Sequence, residues 1–231
     1  MKKVTFYLSL MLLAVILFPS CKKGGKGMFT PTSSGRPYEV LVVMDKNTWE
    51  APTGRALYNV LDTDVPGLPQ SERSFRISQI PLDRLQRSFK IFRNIIIADI
   101  QPGYYTQPKL KFTRNAYASP QMILTIQAPN EESFAEFVEK NGQTIIDFFV
   151  KAEMNRQINN LKDEYSPIVS TKVGSIFGCE VKVPQELQKY KQGEDFLWAS
   201  TDRANADMNF VIYSYPYTDK ETFTKEYFIH K

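Results

Sequence analysis

The stretch V-L-V-V-M at residues 40–44 is the strongest fold signal in the sequence, because five apolar residues stand in a row. A continuous apolar run of this length is typical of a strand that is covered on both faces. The run I-I-I-A at residues 95–98 has the same character. A third strand, at an edge or covered on one side, is predicted because three apolar residues, Met122, Leu124 and Ile126, alternate with the polar residues Gln121, Thr125 and Gln127. The sequence therefore predicts a sheet with a buried centre.

Helical patterns separate these strands. An apolar stripe that includes Leu57 and Leu61 predicts a helix after the first strand, and residues 82–92 have the spacing of a short amphipathic helix. A long helical region follows at residues 130–165, and Gly142 divides or kinks it. With a further strand at residues 75–80, the order of elements is close to a ferredoxin-like split arrangement. We therefore predict an α+β fold whose sheet is mainly antiparallel, with helices on one face.

The chain is predicted to contain two folded units. The first unit covers residues 37–165, and the second unit, residues 166–231, is predicted to be a smaller α+β unit. Strands are expected at residues 181–184, 196–201 and 210–217, and the last two should form a hairpin across residues 202–207. A helix begins near Asp219 but would be only about two turns long. We therefore expect the second unit to be incomplete at its C-terminal end.

The first 21 residues predict a lipoprotein signal. Lys2 and Lys3 precede an apolar run at residues 4–18, which is shorter than the roughly 20 residues that a membrane-spanning helix needs. Ser20 stands before Cys21, so residues 1–20 are interpreted as a signal peptide, and the thiol of Cys21 as the site of lipid attachment. An uncleaved anchor and an ordinary secretory signal are the alternatives.

This leader predicts a location in the cell envelope. Lys22 stands where an aspartate would retain a lipoprotein in the inner membrane, so the outer membrane is favoured, with the protein on its periplasmic face. Residues 21–36 are polar and rich in glycine, which indicates a flexible tether. The expected partners are the membrane, through the lipid, and an envelope protein or a glycan. The chain loses two lysines with the leader and is then nearly neutral, which argues against nucleic-acid binding.

The residue types that carry most enzyme chemistry are scarce. If Cys21 carries lipid, only Cys179 remains, no intrachain disulfide can form, and a buried inert thiol is expected. The single histidine, His230, is the penultimate residue. Glycine-rich phosphate loops and metal-ligand spacings are not found in the sequence, so we expect no cofactor and no metal. These features favour a binding or scaffolding protein over an enzyme.

Two aspartates are the candidates for catalysis. Asp45 follows the first buried strand and Asp99 follows the second, and carboxyl ends of strands often carry ligand sites and catalytic acids. A facing pair of carboxylates would suit a carboxylate-dependent hydrolase. The alternative is that Asp45 starts a turn before a helix and that Asp99 ends a strand in solvent.

Aromatic residues supply a candidate binding surface. Tyr213, Tyr215 and Tyr217 alternate along one predicted strand, and Trp198 lies on its expected partner strand. Exposed rings would stack on a sugar or on a peptide, because each offers an apolar face with a polar tip. Buried rings would instead be ordinary cross-strand packing.

A basic segment precedes these candidates in the chain. Arg84, Arg87, Lys90 and Arg93 are spaced by three and would share one side of the short helix, facing anionic lipid or simply solvent.

Several segments together resemble a known family. They are GRPYEVLV at residues 35–42, NIII at 94–97, YASPQ at 117–121, EMNR at 153–156 and YSYPY at 213–217. In these segments the chain resembles an uncharacterised family of bacterial lipoproteins, the domain of unknown function 4837. The resemblance implies a chain longer than this one and a lipid anchor at Cys21. It implies no activity, cofactor or catalytic residue.

Overall fold

The computed structural model describes residues 30–201 and 207–229 and contains two separate sheets. The first sheet has five strands in the order β2-β1-β3-β5-β4. They are β1 (Glu39–Val43), β2 (Arg76–Ile80), β3 (Asn94–Ile100), β4 (Lys109–Arg114) and β5 (Met122–Ala128). The α+β class is thus confirmed for the described part of the chain.

The direction of the strands corrects the prediction. β1 is parallel to β2 and to β3, and β3 is parallel to β5, so that only β4 runs antiparallel to its neighbour. The prediction of a mainly antiparallel, ferredoxin-like sheet is wrong. The continuous apolar runs of β1 and β3 are the mark of parallel strands buried on both faces. β4 was not predicted. It runs antiparallel to β5, and it therefore brings the chain back so that β5 can pair in parallel with β3.

Four helices belong to the first unit: α1 (Lys46–Glu50), α2 (Pro52–Leu61), α3 (Glu131–Lys140) and α4 (Gly142–Asp163). The Asn130 side chain caps α3 by accepting a hydrogen bond from the Ser133 backbone N–H at 2.8 Å. Gly142 separates α3 from α4, as predicted. A Cβ atom at this position would lie 3.1 Å from a methyl carbon of Val60 in α2, so the glycine lets the start of α4 approach α2.

The main core lies between α2, α3, α4 and one face of the sheet. Its fully buried side chains include Val40, Val42, Leu57, Leu61, Ile96, Leu124, Ile126, Phe134, Val138, Ile145 and Phe149. The opposite face carries a smaller cluster around Val43 and Ile95, covered by Leu85 and Phe92 from the segment before β3. That segment contains a short 3-10 helix, Leu82–Arg84, and not the predicted helix over 82–92. Arg87 has a φ of 42°, which interrupts any helix there.

The second unit contains α5 (Pro167–Phe177), β6 (Lys189–Gln192), β7 (Phe196–Ser200), β8 (Asn209–Tyr213), a 3-10 helix (Lys220–Phe223) and α6 (Lys225–Ile229). Its three strands are antiparallel, and the predicted hairpin is confirmed as β7 and β8. The first strand of this sheet lies at Lys189–Gln192, and the predicted strand at 181–184 is reduced to a single bridge between Tyr165 and Pro184. α5 was not predicted, although Ser166 and Pro167 are a typical helix start.

Further predictions concern the ends of the chain and the two cysteines. Cys21 and His230 lie outside the described residues. Residues 31–34, from the segment predicted as a tether, hydrogen-bond to Ser119 and Ile91, so this part is ordered against the first unit. Cys179 is exposed, not buried, because it follows the left-handed Gly178 that ends α5. Across the described residues, no helix combines the length and apolar character that crossing a membrane requires.

Candidate functional site

The second sheet presents an aromatic surface to solvent. Residues directly opposite one another on antiparallel strands share a face, and Phe196 pairs with Tyr213 while Trp198 pairs with Val211. We call these four residues the aromatic face. The alternate residues Leu197 and Ala199 point the other way and are fully buried with the side chains of α5. One side of this sheet is therefore packed, and the other presents rings to solvent.

The rings of the aromatic face are accessible and partly fixed. Phe196 is 37% exposed, Tyr213 is 48% exposed, and Trp198 is half-buried. The Trp198 indole N–H donates a hydrogen bond to Asn209 Oδ1 at 3.0 Å, which holds the orientation of the ring. The ammonium group of Lys191 lies 5.7 Å above the Trp198 ring. The surface thus combines apolar ring faces with polar donors.

Tyr215 and Tyr217 lie beyond β8, which ends at Tyr213, so they do not continue the strand face as predicted. Pro216 cannot donate a backbone hydrogen bond and is disfavoured inside a strand. The ring of Tyr215 nevertheless stacks on Tyr213 with centroids 5.8 Å apart, and Tyr217 stacks on Phe223 at 5.5 Å.

The two outer tyrosines differ in environment. Tyr215 is half-buried and contacts Tyr227, and this burial raises the pKa of its hydroxyl, with smaller contributions from Tyr213 and Tyr227. Tyr217 is 63% exposed. The structure thus brings Trp198, Tyr213 and Tyr215 into one surface, whereas the ring contact of Tyr217 is with Phe223.

Asp99 lies in a polar cluster on the sheet face away from the helices. Its carboxylate accepts hydrogen bonds from the Tyr105 hydroxyl, from Gln101 Nε2 at 2.6 Å and from Gln127 Nε2 at 3.2 Å. Burial raises the pKa of Asp99, but these hydrogen bonds and the charge of Lys111 outweigh burial and lower it overall. The pKa of Tyr105 is raised to about 12, and the largest cause is the hydrogen bond that its hydroxyl donates to Asp99.

Asp45 has a structural role at the start of α1. It is exposed, and its carboxylate accepts a hydrogen bond from the backbone N–H of Asn47 at 2.9 Å, so it caps the helix. Asp45 and Asp99 share no hydrogen-bond partner in the described part of the chain. No three His, Cys, Asp or Glu side chains are grouped to hold a metal ion within residues 30–201 and 207–229.

Sequence reasoning missed a buried charged cluster under α4. Glu153 is 1% exposed, and its carboxylate accepts hydrogen bonds from Arg93, Arg156 and Asn94, each at 2.7 Å. Arg156 also donates to the Asn94 side chain at 2.9 Å and to the Arg93 backbone carbonyl at 3.0 Å. Arg93 therefore belongs to this cluster and not to an exposed basic helix. The sequence signal that was available is the spacing of Glu153 and Arg156, which lie four and seven residues after Phe149 and so share its buried helix face.

The fold and the surfaces define a two-unit α+β protein with an exposed aromatic sheet face and a buried charged cluster. The chain belongs to the family described as domain of unknown function DUF8532, whose model matches residues 33–162. Residues 166–231 match a second family, the domain of unknown function DUF4837. The resemblance to DUF4837 is thus confirmed over the second unit, while the first four segments quoted for it fall within the other match. Neither a curated protein nor a solved structure matches the chain.

Proposed function

We propose that this protein is a lipid-anchored protein of the cell envelope that binds a glycan through its aromatic face and catalyses no reaction. The observation that carries the proposal is the two-sided character of the second sheet. Leu197 and Ala199 are fully buried on one side, while Phe196, Val211 and Tyr213 are 37%, 51% and 48% exposed on the other. Exposed apolar surface of this kind commonly marks a binding site.

A glycan fits this surface better than a peptide does. Sugar rings present C–H faces that stack on aromatic rings, and their hydroxyl groups reach the polar tips of tyrosine and lysine. Tyr213, Trp198 and Lys191 supply these features side by side on three neighbouring strands. A peptide that adds to a sheet edge would instead use backbone groups, for which the rings are not needed.

The sequence supports the envelope location. A charged start, a short apolar run and Ser20 before Cys21 form the leader, which lies outside the described residues. Several acyl chains on one cysteine hold a protein firmly, since each buried methylene contributes about 0.8 kcal/mol. We propose anchorage in the outer membrane with the folded units on the periplasmic side, where a glycan or an envelope protein can be reached.

Changing the predicted lipid site tests the anchor. The full chain carrying Cys21→Ser should move from the membrane fraction to the soluble fraction, and mass spectrometry of the parent should show an acylated peptide that begins at Cys21. Cys179→Ser is the matched control, because Cys179 is exposed and should leave the distribution unchanged. A Cys21→Ser protein that stays in the membrane fraction would contradict the proposed anchor.

Removing a ring from the aromatic face tests glycan binding. An oligosaccharide array probed with the full chain in detergent should show binding that Tyr213→Ala weakens about threefold to tenfold, since one stacking ring is lost. Tyr104→Ala is the control, because Tyr104 is 72% exposed but lies in the first unit. Equal weakening by both variants, or the absence of any bound glycan, would refute the role of the aromatic face.

A further inference from the structure

A cavity of about 480 Å³ lies in the first unit, between the end of β4, the start of β5 and helix α4. This volume falls in the range of small-molecule sites. Three basic residues line it: Arg114, Lys151 and Arg156. None of the described residues that line the cavity is acidic. Its charge therefore favours an anion.

The basic side chains differ in how far their charge is already compensated. Arg114 is exposed and forms no ion pair with any residue that the structure describes. Lys151 lies 3.4 Å from the carboxylate of Asp147, but both side chains face solvent, where such a pair contributes little. Arg114 and Lys151 can thus turn their charge toward a ligand without breaking a buried interaction.

The cavity wall at Arg156 carries excess positive charge. Arg156 lines the cavity and is only 7% exposed. Its guanidinium group shares the single carboxylate of Glu153 with Arg93. The Nε atom of Arg93 is buried and has no hydrogen-bond partner. Burial lowers the pKa of Arg156, Glu153 opposes this effect, and the charge of Arg93 adds to it. A buried cluster with two cations and one anion is stabilised by a further negative charge nearby.

One part of the cavity wall is held in place by a buried glutamine. Gln121 is 1% exposed, and its side-chain N–H groups donate to the carbonyls of Lys90 at 2.6 Å and Phe92 at 2.8 Å. Its carbonyl oxygen accepts from the Tyr117 backbone N–H at 2.9 Å, and its own backbone N–H donates to the Asn115 side chain at 2.8 Å. A cavity wall that is ordered in advance reduces the entropy lost on binding.

The other lining residues indicate which uncharged groups the ligand carries. Asn155 and Asn159 offer amide donors and acceptors, which suit hydroxyl groups. Met122 and Phe148 offer apolar surface, which suits the C–H face of a ring. We propose that this cavity binds a small hydroxylated anion of the sugar-acid or sugar-phosphate class. The site lies in a different unit from the aromatic face and does not depend on it.

Titration calorimetry with two matched pairs of probes tests the proposal. Galacturonate is compared with galactose, and glucose 6-phosphate with glucose, on the full chain in detergent. At least one anionic sugar should bind ten or more times tighter than its neutral counterpart, because charge-assisted hydrogen bonds are the stronger ones. The pair that shows the difference tells whether the carboxylate or the phosphate is recognised.

Variants then locate the binding. Arg114→Gln should weaken the anionic sugar about tenfold, whereas Arg84→Gln, which removes an exposed arginine elsewhere in the same unit, should change nothing. Both substitutions are on the surface, so unchanged melting temperatures should show that each variant folds. Loss of Tyr213 should have no effect on this binding. Equal affinity for charged and neutral sugars, no binding at millimolar concentration, or equal effects of the two arginine variants would overturn the proposal.

Discussion

Glu153→Gln is expected to destabilise the first unit strongly, although the substitution keeps the size and shape of the side chain. The carboxylate of Glu153 is 1% exposed and is the anion that the guanidinium groups of Arg93 and Arg156 share, at 2.7 Å each. A glutamine in its place leaves both cations uncompensated and turns an N–H donor toward groups that are themselves donors. Breaking a buried ion pair by removing one partner costs about 3–5 kcal/mol.

This cost is large compared with the stability of a domain, which is roughly 5–15 kcal/mol. We expect a fall in melting temperature of roughly 6–20 °C, since each of the about 3–5 kcal/mol lost shifts it by about 2–4 °C in a chain of this size. Urea unfolding followed by tryptophan fluorescence measures the change. The sequence contains two tryptophans, so Trp198→Phe leaves Trp49 to report on the first unit alone.

Two further variants make the result specific. Glu136→Gln removes an exposed glutamate from α3 and should change the free energy of unfolding by less than about 0.5 kcal/mol. Adding Arg156→Met to Glu153→Gln removes one of the uncompensated charges, so the double variant should be more stable than the sum of the single effects. A loss below about 1 kcal/mol for Glu153→Gln, or strictly additive effects, would refute the argument from charge.

Other substitutions test the Asp99 cluster and one helix contact. Tyr105→Phe should raise the pKa of Asp99 toward its ordinary value, as seen by NMR titration, because the hydroxyl that stabilises the carboxylate is lost. Since the folded pKa of Asp99 is lowered, its contribution to stability is present above about pH 4 and is lost at lower pH, so this variant should show a weaker acid dependence of urea unfolding. An unchanged pKa would show that Tyr105 is not a major cause. Gly54→Ala should destabilise α2 by about 2 kcal/mol or more in spite of the better helix propensity, because its Cβ would lie 2.3 Å from the Cα of Trp49. Gly193→Ala, where the nearest atom is 3.8 Å away, should be almost neutral when urea unfolding of the second unit is followed through Trp198, and similar losses for both glycines would contradict the steric explanation.

The parts of the fold that were predicted correctly are those that local patterns specify. β1 and β3 were found from continuous apolar runs, and the division of the long helical region at Gly142 was found from a residue with weak helix propensity. The hairpin of β7 and β8 followed from two apolar runs separated by a polar loop. In each case the signal lies within about twenty residues of chain.

The parts of the fold that were missed depend on contacts between segments that are distant in the chain. β4 has the sequence K-L-K-F-T-R, and it is a strand because β5 supplies its hydrogen-bond partners. The same applies to the sites: Trp198 and Tyr213 share a face only through the register of two strands. The lipid anchor at Cys21 and the envelope location remain predictions from the leader sequence.

The sequence by itself determined the buried central strands and the hairpin of β7 and β8, and it supplied a candidate anchor, because side-chain periodicity and a short apolar leader act locally. Only the tertiary structure decided that the sheet is mostly parallel, and only it placed Asn94 within 2.7 Å of Glu153, a residue 59 positions away. The physical reason is that strand direction and buried ion pairs are selected by packing between distant segments, where burial makes unpaired polar groups costly.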